Sequence, residues 1–220
     1  MRMVKRRLGY DLWTFMISIS RRLVLAGAGG VALAAACPAG ATSLAAESTA
    51  PPAALIRRAL GAAERHRGRF ATLERVGIVD FTRPSSTPRF HILDTITGRS
   101  RAVLVAHGRG SDPEHSGWLE RFSNLPRSQA SSAGAYLTGE IYAGRHGRSR
   151  RLIGLDPGNS NAEARAIVIH AAAYVGDSIA QEQGKIGRSE GCLAVSPEDI
   201  AQVLERLPAG FMIYADRLSA

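Results

Sequence analysis

Apolar residues recur at helical spacing once near the start of the folded part of this chain, and after that they fall into short strand-like runs. Between Ala53 and Arg65, the residues Leu55, Ile56, Ala59 and Leu60 share one helical face, which predicts a single N-terminal helix. Arg75 to Phe81, Arg89 to Thr95 and Ala102 to His107 then read as strands, with Thr97-Gly98 as the turn between the last two. Antiparallel pairing is the expectation for that region. From Gly108 to Ser132 the chain is rich in Gly, Ser, Pro and Asn, with Trp118, Leu119 and Phe122 as its apolar anchors. A structureless stretch of this length inside a domain reads as a lid or binding loop. Strands resume at Ala135 to Tyr142 and Ser149 to Leu155, and the turn cluster from Asp156 to Asn161 leads into a further strand, Ala164 to His170. A short helix is predicted from Ser178 to Gln183. Ser196 as N-cap, Pro197 at the first helical position and Asp199 in the first turn predict another from Pro197 to about Leu207, before a last strand from Phe211 to Tyr214. The chain therefore reads as mainly β with flanking α-helices, and 220 residues suit one domain with a full core.

The N-terminus follows other rules. Arg2, Lys5, Arg6 and Arg7 precede Ser20-Arg21-Arg22-Leu23-Val24-Leu25 and an Ala/Gly/Leu stretch, with Ala39-Gly40-Ala41 supplying a small-x-small site. This is the layout of an export signal of twin-arginine type, with cleavage near Ala41 or Ala46. An uncleaved anchor fits less well, because a span needs roughly 20 strongly apolar residues. A lipid-modified Cys37 fits poorly too, with Ala34 in place of leucine and Pro38 following. The expected organisation is thus residues 1–46 as export signal, 47–69 as linker and N-terminal helix, and 70–217 as catalytic domain. Losing six basic residues and Asp11 with the signal takes the formal charge from +9 to +4. Much of the basicity is an address, and no zinc-finger spacing, aromatic-rich RNA signature or basic helix calls for nucleic acid. The expected location is the periplasm or cell-wall space, with no membrane span after cleavage.

Of the two cysteines, Cys37 falls in the signal, which leaves Cys192 without a disulfide partner in an oxidising compartment. A thiol kept there is expected to do chemistry. Free cysteine is also among the most buried residues, so a small core side chain is the plain alternative. Cys192 lies in Arg188-Ser189-Glu190-Gly191-Cys192-Leu193, and His170 ends an apolar run twenty-two residues earlier. Attack on an amide needs a base to generate thiolate, and a histidine at a strand end can supply it. A backbone carbonyl near Ala171 could fix its tautomer. Gly191 and Cys192 are the expected pair of backbone N–H donors for the oxyanion.

The runs Ile167-Val168-Ile169-His170 and Gly187-Arg188-Ser189-Glu190-Gly191-Cys192-Leu193-Ala194-Val195 resemble the histidine and Ser-x-Gly-Cys motifs of the YkuD-type L,D-transpeptidases. Gly134-Ala135-Tyr136-Leu137-Thr138-Gly139 resembles the glycine and aromatic strand before them, and the likeness covers roughly residues 70 to 215. It implies a YkuD-like β-sandwich or mixed sheet and a cysteine acyltransferase acting on peptidoglycan stem peptides, with no cofactor. Cys192 would be acylated, His170 would be its base, and Ser189 would shape the loop. The departures are Glu190 where many members have histidine, Ala171 where they have glycine, and Ala194 where they have arginine or asparagine. Transfer to a second stem would give 3,3 or 1,3 crosslinks. Transfer to water would give a carboxypeptidase or endopeptidase, and an inert loop would leave a basic wall-binding module.

Arg188, Tyr136, His107, His146 and Trp118 remain as candidate substrate contacts. Each has a plainer reading as a solvated or core residue, and Trp118 with Phe122 could equally pin the loop to the core. His107, His115, His146 and Asp112 share no recognised zinc spacing, so no metal is expected. A monomer is the expected state.

Overall fold

The computed structural model describes residues 50–219 of the chain. The predicted export signal lies outside the described residues. Helix α1 (Ala53–Arg65) buries Leu55, Ile56, Ala59, Ala62 and Ala63 along one stripe. Arg58 on its outer side reaches Asp216 at 2.8 Å. No helix among the described residues is long and apolar enough to cross a membrane.

Eight strands form one mixed sheet in the order β3-β2-β1-β8-β4-β5-β6-β7. They are β1 (Arg75–Asp80), β2 (Phe90–Asp94), β3 (Ser100–Val103), β4 (Gly134–Gly144), β5 (Gly147–Gly154), β6 (Val168–Ala171), β7 (Leu193–Val195) and β8 (Met212–Asp216). The first three run antiparallel, as the short turns between them require, and β1 is buried from Val76 to Asp80 because it sits inside the sheet with β8 parallel to it. The hairpin of β4 and β5 carries an irregularity between Thr138 and Ile141. Strands β6 and β7 are parallel, joined by a crossover that contains α2 (Asp177–Gln183). Helix α3 (Ile200–Arg206) leads from β7 into β8.

The two ends of this strand order meet. Past Val103 the chain leaves β3, and Ala106 forms an antiparallel bridge with Ala194 of β7, its N–H donating to the Ala194 carbonyl at 2.9 Å. Gly108 then bridges Ser189 in parallel. The sheet therefore curls until its edges touch, which covers edge groups that would otherwise be unpaired. Val79, Phe90, Ile92, Leu152, Ile167, Ile169, Leu193 and Ile213 fill the enclosed core.

Closure explains one departure from the expected elements: the strand read as Ala102 to His107 stops at Val103, because the rest of it crosses to the far edge. The run Ala164 to His170 also divides. Ile167 N–H bonds the Ala162 carbonyl and Ala166 N–H the Glu163 carbonyl, both at 2.9 Å, so a helical turn ends at Ala166 and the strand begins at Val168. Ser196 Oγ accepts the Asp199 N–H at 3.0 Å as its sequence position foretells, yet the helix it introduces spans Ile200–Arg206 and the three residues before it form turns. The Gly108 to Ser132 stretch is irregular apart from a short 3-10 turn at Arg109–Ser111. Buried Asp112 gathers it, accepting Ser116 N–H at 2.7 Å, Ser116 Oγ at 3.0 Å and Gly117 N–H at 2.9 Å. Leu119 is buried and Phe122 packs edge-on against Phe81, with ring centroids 5.8 Å apart, while Trp118 stays 51% exposed.

Candidate active site

The β6 and β7 register pairs His170 with Ala194 and Ile169 with Leu193. Continued one step back, it sets Cys192 beside Val168, on the same side of the pleat as Ala194 and His170. Cys192, the residue just before β7, is then diagonal to His170 of β6 across the parallel pair. His170 Nδ1 donates to the Ala171 carbonyl at 2.8 Å, which leaves the Nε2 lone pair as its basic atom. Burial holds the His170 pKa below the usual histidine value; the Ala171 hydrogen bond opposes this, and the neighbouring His146 and Arg145 act with burial.

The Cys192 thiol is half-buried and donates to the Ala166 carbonyl at 3.6 Å. Burial pushes its pKa up, and so does the Glu190 carboxylate. The Val168 N–H and the guanidinium groups of Arg165 and Arg145 act in the opposite direction. Glu190 is itself paired to Arg109 at 2.9 Å on the surface.

The loop before the cysteine is fixed by Ser189, which is 3% exposed. Its Oγ donates to the Cys192 carbonyl at 2.7 Å and accepts the Gly191 N–H at 3.1 Å, while its own N–H bonds the His107 carbonyl at 2.9 Å. One member of the expected oxyanion pair is thus already engaged. Gly191 N–H is turned to Ser189, and Cys192 N–H is the member with no acceptor among the described residues. Gly191 has φ of 113°, and a Cβ there would lie 2.7 Å from the Ala130 carbonyl oxygen and 3.0 Å from Arg165 Nη2. Only glycine fits both the conformation and the space.

The tip of the β4–β5 hairpin carries His146 onto the site. Its ring stacks on His170 with centroids 4.3 Å apart and planes at 27°. Arg145 Nε donates to His146 Nε2 at 2.9 Å.

The other candidate contacts are placed differently. His107 is 1% exposed, accepting from Arg89 Nη2 on Nδ1 at 2.8 Å and donating from Nε2 to Asp112 at 3.1 Å. Burial drives its pKa to about 4, with the Arg89 charge adding to the effect. It is a neutral core imidazole and lines no cleft. Tyr136 is also in the core, and its hydroxyl donates to the Ser132 carbonyl at 2.8 Å. Arg188 spends Nη1 on the carbonyls of Asp112 and Pro113, tying the long loop to the cysteine segment. Trp118 is exposed on that loop, and its neighbours Leu119 and Phe122 do the pinning.

Sequence reading missed Arg165. It is half-buried beside Gly191, and its guanidinium reaches the Ser123 carbonyl at 2.8 Å, Ser132 Oγ at 2.6 Å and the Ala130 carbonyl at 2.5 Å. A charged residue inside a run read as a buried strand was the available signal. Among the described residues no group of three or more His, Cys, Asp and Glu side chains is placed to hold a metal ion.

No curated protein matches this chain. Among solved structures, an L,D-transpeptidase from Mycobacterium smegmatis is 15% identical with a TM-score of 0.39, over 65% of this chain and 58% of that one. L,D-transpeptidase 3 from Mycobacterium tuberculosis is 13% identical with a TM-score of 0.41, over 65% and 61%. The helical cell shape determining protein from Campylobacter jejuni is 11% identical with a TM-score of 0.41, over 66% and 48%. The chain spans 58% to 61% of the length of the L,D-transpeptidase structures it matches. The family model of the L,D-transpeptidase catalytic domain matches residues 49–215, a range that holds α1, β1 to β7 and nearly all of β8, and this chain belongs to that family.

Proposed function

We propose that this protein is an exported peptidoglycan L,D-transpeptidase that works through a thioester on Cys192, with residues 1–46 as its export signal, 47–69 as linker and helix, and 70–217 as the catalytic domain. The observation that carries the reading is the placement of His170 on β6 diagonal to Cys192, the residue just before the parallel strand β7, with His170 Nδ1 tied to Ala171 so that Nε2 is free to take a proton.

The substrate bond joins an L-configured centre to a D-residue in a stem peptide. As Cys192 Sγ attacks its carbonyl carbon, the thiol proton passes to His170 Nε2 and the S–C bond forms. The oxyanion lies against the Cys192 N–H. The C–N bond then breaks, His170 returns its proton to the departing D-residue nitrogen, and the stem is held as a thioester. The amine of a second stem attacks in turn, His170 accepts its proton, and the restored thiolate is reprotonated. Stem peptides of the cell wall are the substrate and the cell-wall space the place of action.

Mass spectrometry of muropeptides incubated with the purified protein tests this. Crosslinked dimers are expected, together with a thioester adduct on the intact protein that Cys192→Ala lacks. Trimmed monomers alone would make it a hydrolase using the same thiol, and the absence of any adduct would leave a wall-binding module.

A further inference from the structure

The β4–β5 hairpin tip places a guanidinium beside the base, and that group has no acidic partner. Arg145 and His146 are both exposed, and no Asp or Glu among the described residues forms an ion pair with Arg145. Its recorded hydrogen bond uses Nε alone, toward His146 Nε2 at 2.9 Å. The two Nη groups are left as a fork, the geometry that binds a carboxylate in two-point fashion. Because His146 Nε2 accepts, its ring proton sits on Nδ1 as a further donor. The 4.3 Å stack of His146 on His170 fixes this pair of donors next to the base. The nearest acid of the cysteine loop, Glu190, is engaged by Arg109 at 2.9 Å.

The chemistry of the proposed reaction says what belongs there. His170 must hand its proton to the nitrogen of the departing D-residue. A terminal D-residue carries its carboxylate on the same carbon as that nitrogen, so an anion held beside His170 puts the nitrogen at Nε2. Resolution of the thioester runs the same geometry in reverse, with an incoming amine whose carbon bears a carboxylate.

We propose that Arg145 and His146 form a subsite for the α-carboxylate of the D-residue that leaves in acylation and of the D-configured amine that enters in transfer. The subsite makes the enzyme read a free D-amino acid end and discriminate against its amide. This deepens the reading of the protein as a stem-peptide transferase and rests on it.

Two donor peptides differing only in a free or amidated terminal D-residue separate the possibilities, with kcat/KM for release of that residue as readout. The wild-type protein is expected to favour the free acid by about tenfold or more, the loss that goes with one charge-assisted hydrogen bond. Arg145→Gln should erase the preference, lowering kcat/KM for the free acid far more than for the amide, and Arg145→Lys should keep part of it. A wild-type protein indifferent to amidation, or an Arg145→Gln that slows both peptides equally, would overturn the subsite. Calorimetric binding of the same two peptides to Cys192→Ala isolates recognition from chemistry. An Arg145-dependent preference for the acid there, with no thioester on the wild-type protein, would sink the transferase reading and leave the subsite standing.

Discussion

The carbonyl of Ala166 accepts the Cys192 thiol at 3.6 Å from a residue whose own φ is 54°. A side chain in that left-handed conformation costs roughly 1–2 kcal/mol relative to the ordinary helical one. The turn holds it there through the bonds from Ala166 to Glu163 and from Ile167 to Ala162. The acceptor is therefore set by the end of a helical turn before the substrate arrives, and it stabilises the protonated sulfur.

That contact predicts a resting neutral pair. Burial raises the Cys192 pKa and lowers that of His170, so the thiol keeps its proton and the imidazole stays uncharged at neutral pH. Alkylation by iodoacetamide should then rise with pH along one ionisation above the ordinary thiol value. A reactivity plateau extending into the acid range would instead show a thiolate–imidazolium pair and overturn this account.

Ser189 is expected to matter through the two bonds it makes inside the loop. Ser189→Ala leaves the Cys192 carbonyl and the Gly191 N–H without their partner in a buried turn. Stability should fall by about 2 kcal/mol in denaturant unfolding. Acylation by a stem-peptide donor, followed by intact mass, should slow by up to about a hundredfold as the nucleophile loses its placement. Unchanged acylation would mean that Gly191 φ alone holds the loop.

Much of this was legible in the residues. Short apolar runs located seven of the eight strands and the apolar stripe located α1, because a half-buried strand and a one-sided helix each leave a pattern in the sequence; the three residues of β7 (Leu193–Val195) are too short to leave one. The Ser-x-Gly-Cys run and the strand-end histidine pointed to one loop and one strand. What escaped depends on closure of the sheet. Nothing within Ala102 to His107 says that Ala106 will pair with Ala194, and so nothing says that His107 will turn inward to Arg89 while its backbone supports Ser189. His146 likewise belongs to a turn in sequence, and only the curl of β4 and β5 lays it on His170.

The docking of α1 should fail in acid. Asp156 accepts Ala135 N–H at 2.7 Å and pairs with His66 at 2.9 Å. Burial works to raise its pKa, but the Ala135 bond and the His66 and Arg65 contacts outweigh it, and the folded value lies below the ordinary 3.8. A depressed carboxyl contributes stability that is present above the unfolded pKa and is lost as pH falls through the folded one. Asp156→Asn should lower stability by about 1–3 kcal/mol at neutral pH, and the gap to the parent should close below the ordinary carboxyl range. A gap of constant size from neutral pH down to about pH 2 would remove the carboxylate from this role.

Arg165 joins two halves of the site that the sequence leaves far apart. Its three hydrogen bonds hold Ser123, Ala130 and Ser132, and the Ala130 carbonyl so held is the atom that forbids a side chain at Gly191. Its charge also favours the Cys192 thiolate. Arg165→Met removes both effects. Unfolding stability should drop by about 3 kcal/mol, the thiol pKa should climb further, and acylation should slow at every pH. Arg165→Lys keeps the charge without the three-way fork. It should leave thiol ionisation near the parent value while the 123–132 segment becomes open to limited proteolysis. If Lys and Met variants shift the alkylation profile equally, the guanidinium acts on the thiol only by holding the loop, and its charge has no part in forming the nucleophile.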